Sequence, residues 1–156
     1  MRRDATSGLA KLPVWIRPAR PGERLDLEEL QHRSSRALPE YRDQLEADPE
    51  AIDLPAAQIE RGEVSVAEGI NGIAGFAVVV IDGDTAEIDG LFVEPHLWRR
   101  GVGSALIEAA THQARSSGLS LTVVAAPEAA QFYEKHGFTA EGSVETRFGP
   151  AVRMSR

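Results

Sequence analysis

The sequence predicts an α/β (α+β) domain with a mixed, mostly antiparallel central sheet of six to seven strands and helices on both faces. Three observations carry this. Strand-like and helix-like stretches follow one another in the order β-α-α-β-β-β-α-β-α-β-β, a pattern that layers helices against a sheet. FAVVVI (76–81) is β-branched and nearly continuous, as a central strand covered on both faces would be. Turn signals at Asn71-Gly72 and Asp82-Gly83-Asp84 join three successive strands as hairpins.

The elements follow in order. Residues 1–12 read as a flexible N-terminal tail, leaving residues 13–156 as one domain. VWIRPA (14–19) is a first strand, stopped by the turn from Pro18 to Gly22. From Glu23 the period becomes helical, with Leu27, Leu30 and Ser34 on one face, and Pro39 ends this helix. Asp48 and Pro49 read as N-cap and first position of a second helix that turns Ile52, Ala56 and Ile59 inward, with Pro55 splitting it or shifting its start. EVSVAE (63–68) alternates as a strand, and TAEIDGLFV (85–93) follows the second hairpin. Gly90 within it signals a bulge or a close backbone approach. A helix runs from Val102 to Ser117 and stops at Gly118. LSLTVVAA (119–126) is a strand, PEAAQFYEKHG (127–137) a helix, and FTAEG and VRMSR are last strands.

Bulk properties narrow the function classes. The length of 156 residues suits one ordinary domain. There is no cysteine, so disulfides, thiolate chemistry and a cysteine-borne covalent intermediate are excluded. A net charge of −7 argues against a nucleic-acid partner; it serves solubility or else favours a cationic partner. The longest apolar run, IAGFAVVVI, is too short to span a bilayer as a helix. The start, MRRDATSGLAKLP, lacks the apolar core of a signal peptide, so a soluble, cytoplasmic protein without a membrane partner is expected. The four histidines, His32, His96, His112 and His136, show no metal-ligand spacing, and no metal is expected. His112 reads as a surface residue and His136 as a partner of a helix C-terminus.

WRRGVGSAL (98–106) joins a strand to a helix. The first amides of a helix have no intrahelical partner, and the helix dipole adds partial positive charge there. Gly101 and Gly103 lack Cβ atoms, so a bulky anion can approach the backbone, and Arg99 and Arg100 add forked donors. The stretch reads as a di- or polyphosphate site or as a plain turn with solvated arginines. It is neither a Walker loop, since Ser104 and Ala105 follow Gly103, nor a dinucleotide fingerprint, since Leu106 stands where a small residue is needed.

LFVEPHLWRRGVGSALIEAA (91–110) resembles the acyl-CoA binding motif of the GNAT superfamily of N-acyltransferases. AAPEAAQFYEKHGF (125–138) is similar to the strand and helix that end the family's pattern. The element order from Val14 to Met154 extends the resemblance over nearly the whole chain. Trp98 departs from the Gln or Arg usual at its position, and Ala126 from the usual Asn. The resemblance implies a GNAT-like fold and an acetyl-CoA-dependent N-acetyltransferase. The acetyl group would pass to a primary amine, on a small molecule or a protein, by direct attack in a ternary complex. A non-catalytic acyl-CoA sensor is the alternative, and a homodimer is common in the family.

The resemblance also assigns residues. Arg99, Arg100, Gly101, Val102, Gly103 and Ser104 would hold the coenzyme pyrophosphate. Leu91, Phe92 and Val93 would pair with the pantetheine arm, the amide of Phe92 or Val93 polarising the thioester. Ala126, Phe132 and Tyr133 would line the coenzyme. Tyr133 is the candidate acid, because a phenol can protonate a thiolate of similar basicity, although its helix could equally bury it in a core. Glu87 is the candidate base, with Asp89 on the same face if no bulge intervenes. The acceptor would sit among residues 32–48 and 144–151, where Arg36, Glu40, Tyr41, Arg42, Asp43 and Glu46 mix both signs of charge.

Overall fold

The computed structural model describes residues 10–48 and 53–156. The strands are β1 (Trp15–Pro18), β2 (Val64–Gly69), β3 (Gly72–Asp82), β4 (Thr85–Val93), β5 (Ser120–Ala125), β6 (Thr139–Thr146) and β7 (Gly149–Ser155). The helices are α1 (Arg24–Arg36), α2 (Pro39–Ala47), α3 (Ala56–Glu60), α4 (Val102–Ser116) and α5 (Ala130–Lys135). The seven strands form one sheet in the order β1-β2-β3-β4-β5-β7-β6. All neighbours are antiparallel except β4 and β5, which run parallel. This is the mixed, mostly antiparallel sheet expected.

Alternation along β3 divides the core between two faces. Phe76 and Val78 pack with Leu27 and Leu30 of α1, while Ala77 packs with Val102 and Leu106 of α4 and Val79 with Ile107 and Ala110. The helices therefore cover opposite faces. Gly83, with φ +62, turns the chain between β3 and β4, and Gly118, with φ +71, stops α4 where the sequence indicated.

Several elements depart from expectation. Pro39 does not end a helix but opens α2, since proline lacks only an amide that a helix's first turn leaves unpaired anyway. Pro55 stands in the N-cap position of the short α3, so it shifts the start of that helix. Of the residues expected inward there, Ile59 is buried and Ala56 exposed. The expected helix start at Asp48-Pro49, and Ile52, fall at or within the residues outside the description. The stretch PEAAQFYEKHG divides into a 3-10 turn (Pro127–Ala129) and α5. The last strands reach further than FTAEG and VRMSR and meet at a tight turn. Part of the expected tail is held: the Leu12 amide donates to the Arg100 carbonyl at 2.8 Å, and Leu12 packs beside α4.

Two expectations for stability follow. A Cβ on Gly75 would lie 2.7 Å from the Phe92 carbonyl oxygen and 3.2 Å from the Val102 side chain. Backbone cannot yield there cheaply, so Gly75→Ala should cost about 1–3 kcal/mol, read as a lowered Tm. Arg17 on β1 joins Glu23 and Glu68, each at 2.6 Å. Its hydrogen bond holds the Glu23 carboxyl below the ordinary carboxylate range. Such a group stabilises the fold above its unfolded pKa, about 4.3 for glutamate, and stops doing so as pH falls through the folded value. Glu23→Gln should therefore be less stable than the parent near neutrality, and denaturant titrations should show the difference closing as pH falls below about 4.

Candidate active site

The parallel ladder between β4 and β5 runs only from Thr85↔Ser120 to Ile88↔Val123. Beyond it the strands part. A bulge accompanies the parting: Val78 faces Gly90 while Val79 faces Ile88, which leaves Asp89 as the extra residue. The bulge shifts the alternation, so Ala86, Ile88 and then Leu91 pack towards α4, while Phe92 joins the α1 side. The Phe92 ring lies over Gly90, where a Cβ would come 2.5 Å from it. Gly90 thus adjoins the bulge its sequence position suggested, and what approaches it closely is a side chain rather than backbone.

The end of β4 has an exposed backbone edge. The Glu94 amide donates to the Ala74 carbonyl of β3 at 2.9 Å. Alternate residues of a strand point their backbone groups the same way. Phe92 therefore turns its amide and carbonyl to β3, and its oxygen lies against Gly75. Leu91 and Val93 turn theirs to the side that β5 has left. Of the two amides expected near a thioester, only that of Val93 faces the opening, and Leu91 adds a second.

The parted strands wall a cavity of about 540 Å³, within the usual range for small-molecule sites. Ile88 to Phe92 line one wall, and Val123 to Ala126 line the other. Tyr133 of α5 closes it. Tyr133 is only 7% exposed and meets the rings of Phe132 and Phe138 edge-on at 5.2 and 5.3 Å. It is both a core residue and part of the cavity wall. Asp89 lines the cavity, with Gln58 donating to its carboxylate at 3.4 Å. Glu87 is half-buried, pairs in register with Val80 and Thr122, and lies outside the lining.

The loop 99–104 is built of left-handed backbone and a helix start. Arg99 has φ +66 and Gly101, the N-cap of α4, φ +86. Such a loop gathers amides into an anion-binding concavity, continued by the amides of Val102, Gly103 and Ser104, which precede the first helical bond from Ala105 to Gly101. Gly103 has a second reason to be glycine: a Cβ would meet the Phe132 ring at 3.1 Å. Arg99 is exposed, whereas Arg100 donates its Nε to the Ala10 carbonyl at 3.0 Å. These residues lie beyond the cavity, linked to it through Phe132 beside Tyr133.

Sequence reasoning missed the residues that hold this arrangement. The Trp98 indole donates to the Val93 carbonyl at 2.9 Å, so that oxygen is already engaged. Arg33 grips Glu94 with two bonds, at 3.1 and 2.7 Å, tying α1 to the end of β4. The Lys11 stem runs beside Gly101, where a Cβ would lie 3.4 Å from its Cγ. His136 Nδ1 lies 2.8 Å from the Phe132 carbonyl, which can only accept, so that nitrogen carries the proton. In the neutral ring its Nε2 then accepts from the Ser104 hydroxyl at 2.8 Å, joining α5 to the first turn of α4. The ranges 32–48 and 144–151, expected around an acceptor, reach the cavity only in part, and residues from outside them join it. Gln31, Ser34, Ser35, Leu38, Asp53, Glu128 and Phe148 reach the cavity, while Arg36, Arg42, Asp43 and Glu46 do not; the side chains of Glu40 and Tyr41 lie outside the description.

The comparisons agree with this geometry. A GCN5-related N-acetyltransferase from Rhodopseudomonas palustris is 25% identical, with TM-score 0.73 over 95% of this chain and 98% of that one. The PaiA N-acetyltransferase from Thermoplasma acidophilum, solved with coenzyme A, is 19% identical, with TM-score 0.73 over 93% and 99%. The ribosomal-protein-S18-alanine N-acetyltransferase from Escherichia coli is 18% identical, with TM-score 0.67 over 92% of each chain. No curated protein matches the sequence. The acetyltransferase (GNAT) domain family matches residues 60–140, over half of the chain, from the end of α3 through the parted strands, the loop and α5. With that match across the elements that build the site, the chain belongs to the GNAT acetyltransferases and is an N-acetyltransferase.

Proposed function

We propose that the chain transfers the acetyl group of acetyl-CoA to a primary amine by direct attack in a ternary complex. The observation that carries this is the edge of β4 that β5 leaves beyond Ile88, where Leu91 lines the cavity together with Tyr133 and the Val93 amide, though not its carbonyl, continues the free edge. Pantetheine has amides that would pair with such an edge as an added strand. The pyrophosphate would lie on the amides of residues 99–104, with Arg99 and Lys11 supplying charge. Phe132 backs that loop through Gly103, and Ala126 lines the cavity without the polar side chain the family often has there.

The chemistry needs two proton movements. The acceptor arrives as an ammonium and must lose one proton before its nitrogen can attack; Asp89, on the cavity wall, takes this proton directly or through water. Attack forms the C–N bond and places negative charge on the thioester oxygen, which the Leu91 or Val93 amide stabilises. Collapse breaks the C–S bond. Tyr133 protonates the departing thiolate and is restored by the second proton from the nitrogen, so the net products are amide, thiol and one released proton. Glu87 lies outside the cavity lining and is left out of this sequence of steps.

Initial rates of thiol release, measured while both acetyl-CoA and amine are varied, test the scheme. Double-reciprocal lines should intersect, as direct transfer requires. Parallel lines would mean an acetylated enzyme, and coenzyme binding without thiol release from any amine would mean a sensor.

A further inference from the structure

The lining of the acceptor end is one-sided in charge. Asp53, Asp89 and Glu128 reach the cavity, and among its described lining residues there is no lysine, arginine or histidine. Every ion pair among the described residues lies elsewhere, so Asp53 and Glu128 bring carboxylates to the cavity with no ion-paired cation among the described residues. A second observation points to a ligand. Gln31 and Ser34 of α1 are 8% and 6% exposed, and both line the cavity. Neither side chain makes a hydrogen bond among the described residues, yet no fully buried polar atom lacks a partner. Their polar atoms therefore keep accessible surface, and on side chains that line the cavity an occupant would be placed to bond them.

This arrangement discriminates by charge. An amine carrying a carboxylate or phosphate would meet three carboxylates and no cation. A simple monoamine would engage one carboxylate and forgo the attraction of the others, which are exposed and stay hydrated. An amine with a second ammonium on a flexible aliphatic chain would place one nitrogen at Asp89, beside the β4 edge, and the other against Asp53 or Glu128. Its N–H groups would satisfy the Gln31 oxygen and the Ser34 hydroxyl.

Resting on the proposed acetyl transfer, we infer that the acceptor is a small aliphatic di- or polyamine without acidic groups. The test is thiol release from acetyl-CoA with 1,4-diaminobutane, butylamine, free lysine and a neutral lysine-containing peptide, alongside calorimetric binding of 1,4-diaminobutane. The diamine should exceed butylamine and free lysine in kcat/KM by at least tenfold and should bind in the calorimeter. The Asp53→Asn and Glu128→Gln variants should each narrow the diamine-over-butylamine preference at least threefold, while coenzyme A still raises their melting temperature. Equal rates for butylamine and the diamine, or a preference for free lysine, would overturn the diamine assignment and leave acetyl transfer standing. A preference for the peptide would overturn it in favour of a protein acceptor. Coenzyme binding with no thiol release from any amine would overturn both readings.

Discussion

Tyr133→Phe should lower the turnover of acetyl transfer about a hundredfold while leaving coenzyme A affinity nearly unchanged. The change removes one oxygen and keeps the ring, so the edge-on contacts with Phe132 and Phe138 remain and the fold should persist. Positioned proton transfer contributes about 10²–10⁴-fold, and the lower figure suits a thiolate that can also leave without a proton. The loss should appear in kcat rather than in binding, because the hydroxyl matters only as the C–S bond breaks. A variant as fast as the parent would return Tyr133 to a purely structural role.

Gly103→Glu should abolish detectable coenzyme A binding, and its neutral counterpart Gly103→Gln separates the causes. Both side chains press on the Phe132 ring, where the Cβ meets it at 3.1 Å, so both should lose stability and some affinity. Only the glutamate puts negative charge among the amides proposed for the pyrophosphate. Near a helix N-terminus that charge favours the helix itself. Without ligand, Gly103→Glu should therefore melt no lower than Gly103→Gln, yet it should bind coenzyme A at least tenfold more weakly. Equal binding by the two variants would place the phosphates elsewhere.

How much of this was legible beforehand depended on distance along the chain. Hairpin turns, the β-branched run of β3 and the glycine stop of α4 are local signals, and each appears where expected. The glycine and arginine stretch announced a helix start with bare backbone. It could not reveal that Gly103 also answers to Phe132, because that contact joins α4 to α5. Trp98 looked like a departure from the family's pattern. Its indole instead secures the Val93 carbonyl, which only the folded turn brings within reach. Pro55 shifts a helix start, one of the two outcomes its position suggested, whereas Pro39 misled: proline marks a helix boundary, but sequence alone does not say on which side the helix lies. The bulge at Asp89 was hinted at by Gly90, yet its consequence was not. It places Asp89 on the cavity wall while Glu87 remains outside the lining. The acidic lining of the acceptor end was the least legible feature, since Asp53, Asp89 and Glu128 come from three separate parts of the chain.

The most direct measurement is thermal unfolding of the protein with acetyl-CoA, with free coenzyme A and with ATP. A ligand at a hundred times its Kd adds about 2.7 kcal/mol, a rise of a few degrees for a domain of this size. Both coenzyme A species should raise the melting temperature, through pantetheine on the β4 edge and the pyrophosphate on the loop, and ATP should not. No shift with any of the three would contradict the account, reducing the loop to a turn and leaving the cavity without its coenzyme.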